Sequence, residues 1–196
     1  MSYLRNIAVS VLACGLLLMP ALAQENGSDA GSAQSGARSA GAGQANLSAS
    51  DMQFMKEAAE GSKAEVELGK MAEQKASSEA VKSFGKRMMK DHKQASEQLE
   101  SIADKLGVTL PNKVNAKDQA TKARLEKFSG NEFDQAYMRD MVKDHTKDVA
   151  EFQKASSTVS NPDVKNFTEQ TLPTLKSHLK EARQIVSGST MSAETR

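Results

Sequence analysis

Four long segments of the chain repeat apolar or small residues at alternating steps of three and four. That spacing puts the residues on one face of an α-helix, so the segments predict four amphipathic helices. The predicted inward faces are, in chain order, Phe54, Ala58, Gly61, Leu68 and Ala72; Val81, Gly85, Met88, Ala95, Leu99, Ile102 and Leu106; Met138, Met141, Val149 and Phe152; and Val164, Phe167, Thr171, Leu175, Ala182 and Ile185. Four helices that must each bury such a face predict an all-α, four-helix bundle.

Local signals place the ends of these helices. Ser50 and Gln53 match a capping box, which predicts a first helix from Ser50 to about Lys75. The link 76–78 is so short that the first two helices should be antiparallel neighbours. The other predicted N-caps are Ser78, Asn131 and Asn161, and the predicted terminating glycines are Gly107 and Gly188.

The connection between the second and third long helices is much longer. Within it, Ala116 to Phe128 predicts a short extra amphipathic helix, with Ala120, Leu125 and Phe128 as its apolar positions. A connection of this length can cross the whole bundle. The second and third long helices would then run parallel to each other.

The two ends of the chain carry different patterns. Residues 1–23 combine a short basic start, an apolar run and the small-residue site Ala21-Leu22-Ala23, and they predict a signal peptide. Cys14, the single cysteine, is either a lipid anchor or an apolar filler inside that run. Residues 24–50 are rich in Gly, Ser and Ala and predict a disordered linker, followed by the bundle at 51–187 and a flexible tail at 188–196. The protein is therefore expected to be exported, in the periplasm or associated with the outer membrane.

Composition removes several classes of function. Lys and Arg total 26 against 25 Asp and Glu, a net charge of +1, which argues against an electrostatic nucleic-acid binder. No segment after the leader is long and apolar enough to cross a bilayer. Neither a Ser-His-Asp arrangement nor a Gly-rich phosphate loop is present, so a non-enzymatic role is predicted. An envelope partner or a second copy of the chain remains open.

Three histidines carry the candidate chemistry, and each lies on the inward face of a different predicted helix. Two of them end a repeated phrase, Met88-Met-Lys-Asp-His92 and Met141-Val-Lys-Asp-His145. His92 and His145 each lie fourteen residues after a predicted N-cap, about 21 Å along the helix axis. His178 and Glu65 fall near the same level. We expect all four side chains to meet in one buried layer.

Three interpretations are open: a metal or cofactor site, a buried polar network, and isolated histidines that only pack in the core. Imidazole rings with a carboxylate can hold a transition metal such as copper or zinc, and a thioether beside an imidazole also suits haem iron. Met88 and Met141, one turn before two of the histidines, would then assist. Alternatively, the same groups form a buried polar network that satisfies itself. Asp91 and Asp144 either orient a histidine of a neighbouring helix or pair with surface cations.

Several short motifs, taken together and in order, resemble a known bacterial family. They are Glu65 with Leu68-Gly69, Val81-Lys82-x-Phe84-Gly85, Met88 with Asp91-His92, Gly107-Val108, Leu110-Pro111, Phe133, Tyr137, Met141-Val142-x-Asp144-His145, and Leu172-Pro173-x-Leu175-x-x-His178-Leu179. Over roughly Asp51 to Val186 the chain resembles the exported domain-of-unknown-function family numbered 4142, often labelled predicted outer membrane protein. The resemblance implies a ferritin-like helical bundle and brings no reaction with it.

Ferritin-type iron oxidation is not expected. Di-iron bundles of that kind use a Glu-x-x-His pair on each of two helices, and here Met89, Val142 and Leu175 stand three residues before the histidines. The chain is therefore predicted to be a non-enzymatic envelope bundle with a buried Glu/His layer, linked to stress tolerance only by analogy. The alternative is a metal- or haem-binding protein.

Overall fold

A computed structural model describes residues 47–194, with side chains described up to residue 188. The predicted signal peptide, Cys14 and most of the predicted linker lie outside these residues. The described part is all-helical, as predicted, without a strand, and contains five helices. They are α1 (Ala49–Lys75), α2 (Glu79–Leu106), α3 (Ala116–Leu125), α4 (Gly130–Thr158) and α5 (Pro162–Glu194).

The four long helices pack side by side as a bundle. α1 packs mainly on α2 and α4 mainly on α5, while α2 also contacts α5 and α1 also contacts α4. Asp134 at the start of α4 bonds Ser77 just before α2, so these two helices begin at the same end and run parallel. The connection between them returns along the bundle, and its short helix α3 contacts α1 and α4.

Two apolar clusters fill the bundle, one toward each end. One holds Leu68, Phe84, Met88, Tyr137, Met141 and Ala182 among others, and the second holds Met55, Leu99, Phe152, Phe167 and Leu175 among others. On every long helix, the residue that carries candidate chemistry lies between members of the first cluster and members of the second. The polar groups therefore form a layer between two apolar halves of the core.

The buried face of α1 differs from the predicted one. Phe54, Ala58 and Gly61 are only half-buried, and the buried positions are Met55, Ala59 and Ser62. Only this N-terminal part of the predicted face is shifted, because α1 packs against α2 on one side and α4 on the other, and the predicted positions Leu68 and Ala72 are buried. Phe54 still contacts Phe152, with ring centroids 5.0 Å apart.

Several predicted helix ends were also wrong. The N-cap of α1 is Ser48, whose Oγ accepts from the N–H of Asp51, so the capping box at Ser50 does not form and Gln53 donates to Glu57 instead. In α4 the N-cap is Ser129 and Asn131 lies inside the helix, and α5 continues past Gly188. In α3, which ends at Leu125, Ala120 is exposed. Each of these signals was local, and neighbouring helices or alternative caps overrode it.

Several predicted ends were confirmed, among them the end of α1 at Lys75 and Ser78 as the N-cap position of α2. Gly107 closes α2 in the left-handed conformation, with φ of 67°, and its N–H donates to the carbonyl oxygens of Ala103 and Asp104. Asn161 caps α5 because its Oδ1 accepts from the N–H groups of Asp163 and Val164. A glycine at a helix end and an asparagine before a helical proline are strong local signals.

The bundle consists of two helical hairpins, α1–α2 and α4–α5, and a buried aspartate of each hairpin caps a helix of the other. Asp134 of α4 accepts hydrogen bonds from Ser77 N, Ser77 Oγ and Ser78 N at 3.1, 2.6 and 2.8 Å. Asp51 of α1 accepts in the same way from Ser160 N, Ser160 Oγ and Asn161 N at the start of α5. These hydrogen bonds lower the pKa of Asp51, although burial works against them. The Ser78 side chain makes no capping bond of its own.

Replacing Asp134 by alanine is expected to lower the free energy of unfolding by about 2–3 kcal/mol, because it leaves charge-assisted hydrogen-bond donors at the α1–α2 link without an acceptor. Urea denaturation measures this loss. Glu132→Ala, an exposed acid in the same helical turn, is the matched control and should change stability by less than about 1 kcal/mol. Equal losses in the two variants would show that Asp134 is not a cap.

Within residues 47–194, no helix combines the length and the apolar character needed to cross a membrane.

Candidate functional site

The structure brings the four predicted layer residues together. Glu65 comes from α1, His92 from α2, His145 from α4 and His178 from α5, so each long helix supplies one. Their exposed fractions are 2%, 4%, 0% and 0%. The centroids of the three imidazole rings lie 5.3 to 5.8 Å apart. One nitrogen of each ring lies within 4.8 Å of one nitrogen of the other two, which is close enough for a shared metal ion.

A chain of polar contacts runs through two of the rings. His145 Nδ1 lies 3.1 Å from the carbonyl oxygen of Met141, and His145 Nε2 lies 3.3 Å from His178 Nδ1. On its other side His178 Nε2 lies 2.9 Å from the Asp91 carboxylate, which also accepts from Arg87 at 3.3 Å. The two outer contacts have an oxygen that can only accept: a backbone carbonyl and an ionised carboxylate.

These outer acceptors determine where the ring protons lie. In the neutral rings, the proton of His145 must be on Nδ1 and the proton of His178 must be on Nε2. His145 Nε2 and His178 Nδ1 then point two lone pairs at each other across 3.3 Å. That pair of atoms needs either an added proton or a bound cation between them.

Glu65 and His92 form the second half of the layer. Glu65 Oε2 lies 2.8 Å from His92 Nε2, and Glu65 Oε1 lies 3.3 Å from His145 Nδ1. Both distances suit ion pairs, but the ring N–H directions do not point along them. Glu65 Oε1 and both ring nitrogens of His92 consequently have no hydrogen-bond partner among residues 47–188. Unpartnered polar atoms in a core are costly, and they are often found at ligand sites.

Burial and charge shift the titration of these groups. Burial by itself raises the pKa of Glu65, but the positive potential of His92 and His145 outweighs it and lowers the pKa to about 2. Burial lowers the pKa of His145 and lowers that of His178 to about 4. These shifts keep the Glu65 carboxylate ionised and the His145 and His178 rings neutral near pH 7, which is the protonation state that binds metal ions.

The predicted auxiliary residues have different roles. Met88 and Met141 are fully buried among apolar side chains, and Met141 reaches the layer through its backbone oxygen. Asp91 orients His178, a histidine of a neighbouring helix. Burial raises the pKa of Asp91, but the hydrogen bonds and charges of His178 and Arg87 together outweigh burial and lower it. Asp144 pairs instead with Lys117 at 3.6 Å and, among the described residues, makes no hydrogen bond or ion pair with a histidine.

Sequence reasoning missed Asp148 of α4. It lies three residues after His145 and so on the same side of that helix, a signal that could have identified it. Its carboxylate, Glu65 and His145 each offer one ligand atom within 4.8 Å of the others. Burial, followed by the charge of Glu65, raises the pKa of Asp148 well above its ordinary value. Asp148 has neither a hydrogen bond nor an ion pair within residues 47–188.

A cleft of about 380 Å³ opens from the surface toward the layer. It lies between α1 and α4 beside the start of α3, and His92 forms part of its wall. Six carboxylates and two lysines line it: Glu57, Glu60, Asp118, Asp144, Asp148, Glu151, Lys117 and Lys147. Burial, then the charge of Glu65, raises the pKa of Asp144 to about 6. Because His92 belongs to the layer, the inner wall of this cleft lies against the layer.

Comparison with known proteins adds a family and a fold. The family model described as "Domain of unknown function (DUF4142)" matches residues 36–185. The chain is also similar to a solved structure described as a DUF305 fragment from Deinococcus radiodurans, with a TM-score of 0.65 and 13% identity over 72% of this chain and 98% of that one. At this identity the likeness supports the helical fold alone. No protein with a curated description matches the chain.

Proposed function

The chain belongs to the family described as Domain of unknown function (DUF4142), whose description names no activity, and we propose from the site that it is a transition-metal-binding helical bundle. His92, His145 and His178 would be the nitrogen ligands, and Glu65 would complete the set with a carboxylate oxygen. The observation that carries this proposal is the 3.3 Å approach of His145 Nε2 and His178 Nδ1, two nitrogens whose ring protons we assign to the opposite side of each ring.

The separation of those two nitrogens suits a tetrahedral ion. Ligand atoms about 2.0–2.1 Å from a tetrahedral zinc ion lie about 3.3–3.4 Å from one another. His145 Nε2 and His178 Nδ1 are 3.3 Å apart. The two nitrogens are therefore already at the separation that a shared tetrahedral ion requires.

The outer partners of the rings support the same proposal. Histidine ligands normally donate the other ring N–H to a carboxylate or a backbone carbonyl, which orients the ring and fixes its tautomer. Met141 O does this for His145, and Asp91 does it for His178. Asp91 is held in turn by Arg87, which also contacts Ser177 and Glu181 on α5.

The donor set favours zinc or copper. Three imidazoles and one carboxylate suit both ions, whereas magnesium and calcium prefer oxygen ligands alone. A haem has less support, because ring centroids only 5.3 to 5.8 Å apart leave no slot for a macrocycle among the histidines. The methionine sulfur atoms are not needed for a complete set of four ligands.

A buried structural network is the second candidate. The continuous contacts from Met141 O through His145 and His178 to Asp91 and Arg87 favour it. In that case a proton would bridge the two rings, and the layer would only align the four helices. The unpartnered atoms of Glu65 and His92 count against this alternative, because a self-sufficient network satisfies its members.

Metal titration of the metal-free protein separates the two candidates. We expect one equivalent of Zn²⁺ to bind, and His178→Gln to weaken that binding at least about 100-fold, since Gln keeps a donor for Asp91 but offers a poorer ligand. Zn²⁺ should raise the melting temperature of the unaltered protein and not that of the variant. Gln184→Ala, an exposed change on the same helix, is the control and should bind normally.

Failure to bind Zn²⁺ or Cu²⁺ at a stoichiometric level would remove the metal proposal. If His178→Gln also lowered the melting temperature of the metal-free protein, the structural network would take its place.

The broader setting is proposed on sequence grounds. The leader predicts export to the periplasm or the outer membrane, and the lack of catalytic motifs predicts a non-enzymatic role. The helix order, with the long connection between the two hairpins, supports a ferritin-like arrangement.

A further inference from the structure

We infer that the acidic cleft between α1, α4 and the start of α3 is the entry site for the metal ion, where a divalent cation first binds before it reaches the buried layer. This inference rests on the proposed metal-binding function. It adds to that function the path by which the ion enters, the selection of cations by charge at the surface, and the residues that carry out this selection. The cleft takes a hydrated divalent cation rather than an anion, because its walls carry six carboxylates and two lysines.

The inner end of the cleft shows that it leads to a ligand site. His92 lines the cleft, is 4% exposed, and has no hydrogen-bond partner for either ring nitrogen among residues 47–188. Asp148 lines the same cleft and offers an oxygen within 4.8 Å of ligand atoms of Glu65 and His145. A cation in the cleft therefore meets carboxylate oxygens first and imidazole nitrogens next.

The charges of the cleft are only partly neutralised inside the protein. Lys117 pairs with Asp144 at 3.6 Å, and Lys147 pairs with Glu151 at 2.8 Å, both at the rim. Asp148, deeper in the cleft, has no such partner. A cleft with this balance focuses negative potential inward, which raises the local concentration of divalent cations and speeds their association.

The expected effect is therefore on the association rate. Oxygen ligands at the rim hold a hydrated divalent ion weakly and release it, while imidazole ligands retain it. Removing rim carboxylates should slow entry without changing how long the ion stays in the buried layer. Added salt should abolish the difference in association rate between the unaltered protein and a protein without these carboxylates, since the Debye length falls to about 3 Å at 1 M.

Stopped-flow absorbance with Co²⁺ tests this inference on the full protein. The cleft variant combines Asp118→Asn, Asp144→Asn and Glu151→Gln, and the control variant combines Glu73→Gln, Glu97→Gln and Glu169→Gln. The control changes exposed carboxylates outside the cleft, so both variants have the same net charge. At low salt the cleft variant should associate about tenfold more slowly than the unaltered protein, and the control within about twofold. Near 1 M salt all three rates should converge, with equal dissociation rates throughout.

Equal association rates of the cleft and control variants at low salt would overturn the inference while leaving the metal site intact.

Mn²⁺, which prefers oxygen ligands, probes the cleft without the buried layer. If Co²⁺ binds no variant, the proposed metal site fails. In that case, paramagnetic broadening of the Asp144 and Asp148 amide signals in NMR spectra with Mn²⁺, absent in the cleft variant, would still support a cation-binding cleft. The lack of any broadening would overturn the cation-binding cleft as well.

Discussion

Replacing Glu65 by alanine is expected to lower the free energy of unfolding by about 3–5 kcal/mol in the metal-free protein, the usual result of removing one partner from a buried charged cluster. Glu65 is 2% exposed, and its oxygens lie 2.8 Å from His92 and 3.3 Å from His145. The change removes the carboxylate charge beside those two rings and leaves a cavity in the core. Urea denaturation at pH 7 measures the loss.

Glu67→Ala is the matched control on the same helix. Glu67 is exposed and pairs with Lys122 at 2.7 Å, and an exposed ion pair of this kind contributes only about 0–1 kcal/mol. Should both variants unfold at the same urea concentration, the buried layer would contribute nothing to stability. The structural role of Glu65 would then be discarded.

The stability of the layer should depend on pH in one direction. The pKa of Glu65 falls from 4.5 to about 2 on folding, so its contribution is present above about pH 4.5 and is lost as the pH falls toward 2. The pKa of His178 falls from 6.5 to about 4, so acid also favours the unfolded chain between those values. The unaltered protein should lose stability below about pH 6.5. The difference in free energy of unfolding between the unaltered protein and Glu65→Ala should become smaller as the pH approaches 2.

Replacing Gly85 by alanine should lower the free energy of unfolding by about 2–3 kcal/mol or more, because it adds a methyl group where two helix backbones touch. A Cβ on Gly85 would lie 2.8 Å from both Ala72 Cβ and Gly69 O. Neither atom belongs to a flexible side chain, so α1 and α2 would have to move apart. The same movement would separate Glu65 from His92, so metal affinity should fall together with stability.

Gly61→Ala is the control, since nothing lies within 4 Å of the added Cβ at this helical position. Alanine there should stabilise the protein by about 0.5–1 kcal/mol, the usual difference between the two residues in a helix. Urea midpoints that move in opposite directions for the two variants would support the close approach of α1 and α2. A Gly85→Ala protein as stable as the unaltered one would contradict it.

The helices were predictable because their signals lie within a few residues. The three-and-four spacing located all four long helices, and Gly107 and Asn161 located two of their ends. The predicted face of α1 was correct at Leu68 and Ala72 but shifted at Phe54, Ala58 and Gly61, because the contacts with α2 and α4, and not the spacing alone, choose which side is buried. Capping by Asp51 and Asp134 was not foreseen, since their partners lie 56 to 110 residues away.

The residues of the candidate site were predictable, but their arrangement was not. Glu65 and the three histidines stood out as polar residues on apolar faces. Their depths along the helices could be counted from the helical rise. Asp91 and Asp144 looked equivalent in the repeated phrase, yet only Asp91 reaches a histidine. That difference arises because α5 lies beside α2, while α3 with its Lys117 lies beside α4.

For this protein, the order of residues alone determined the helical class, the four long helices and the identity of the polar groups, because periodicity and residue chemistry act over one or two helical turns. Tertiary packing alone decided which ring nitrogens carry protons and which two unprotonated nitrogens face each other. It also decided where an acidic cleft reaches the layer. The proton positions depend on an acceptor 87 residues from His178 and on a ring 33 residues from His145. Such partners are chosen only when the helices meet.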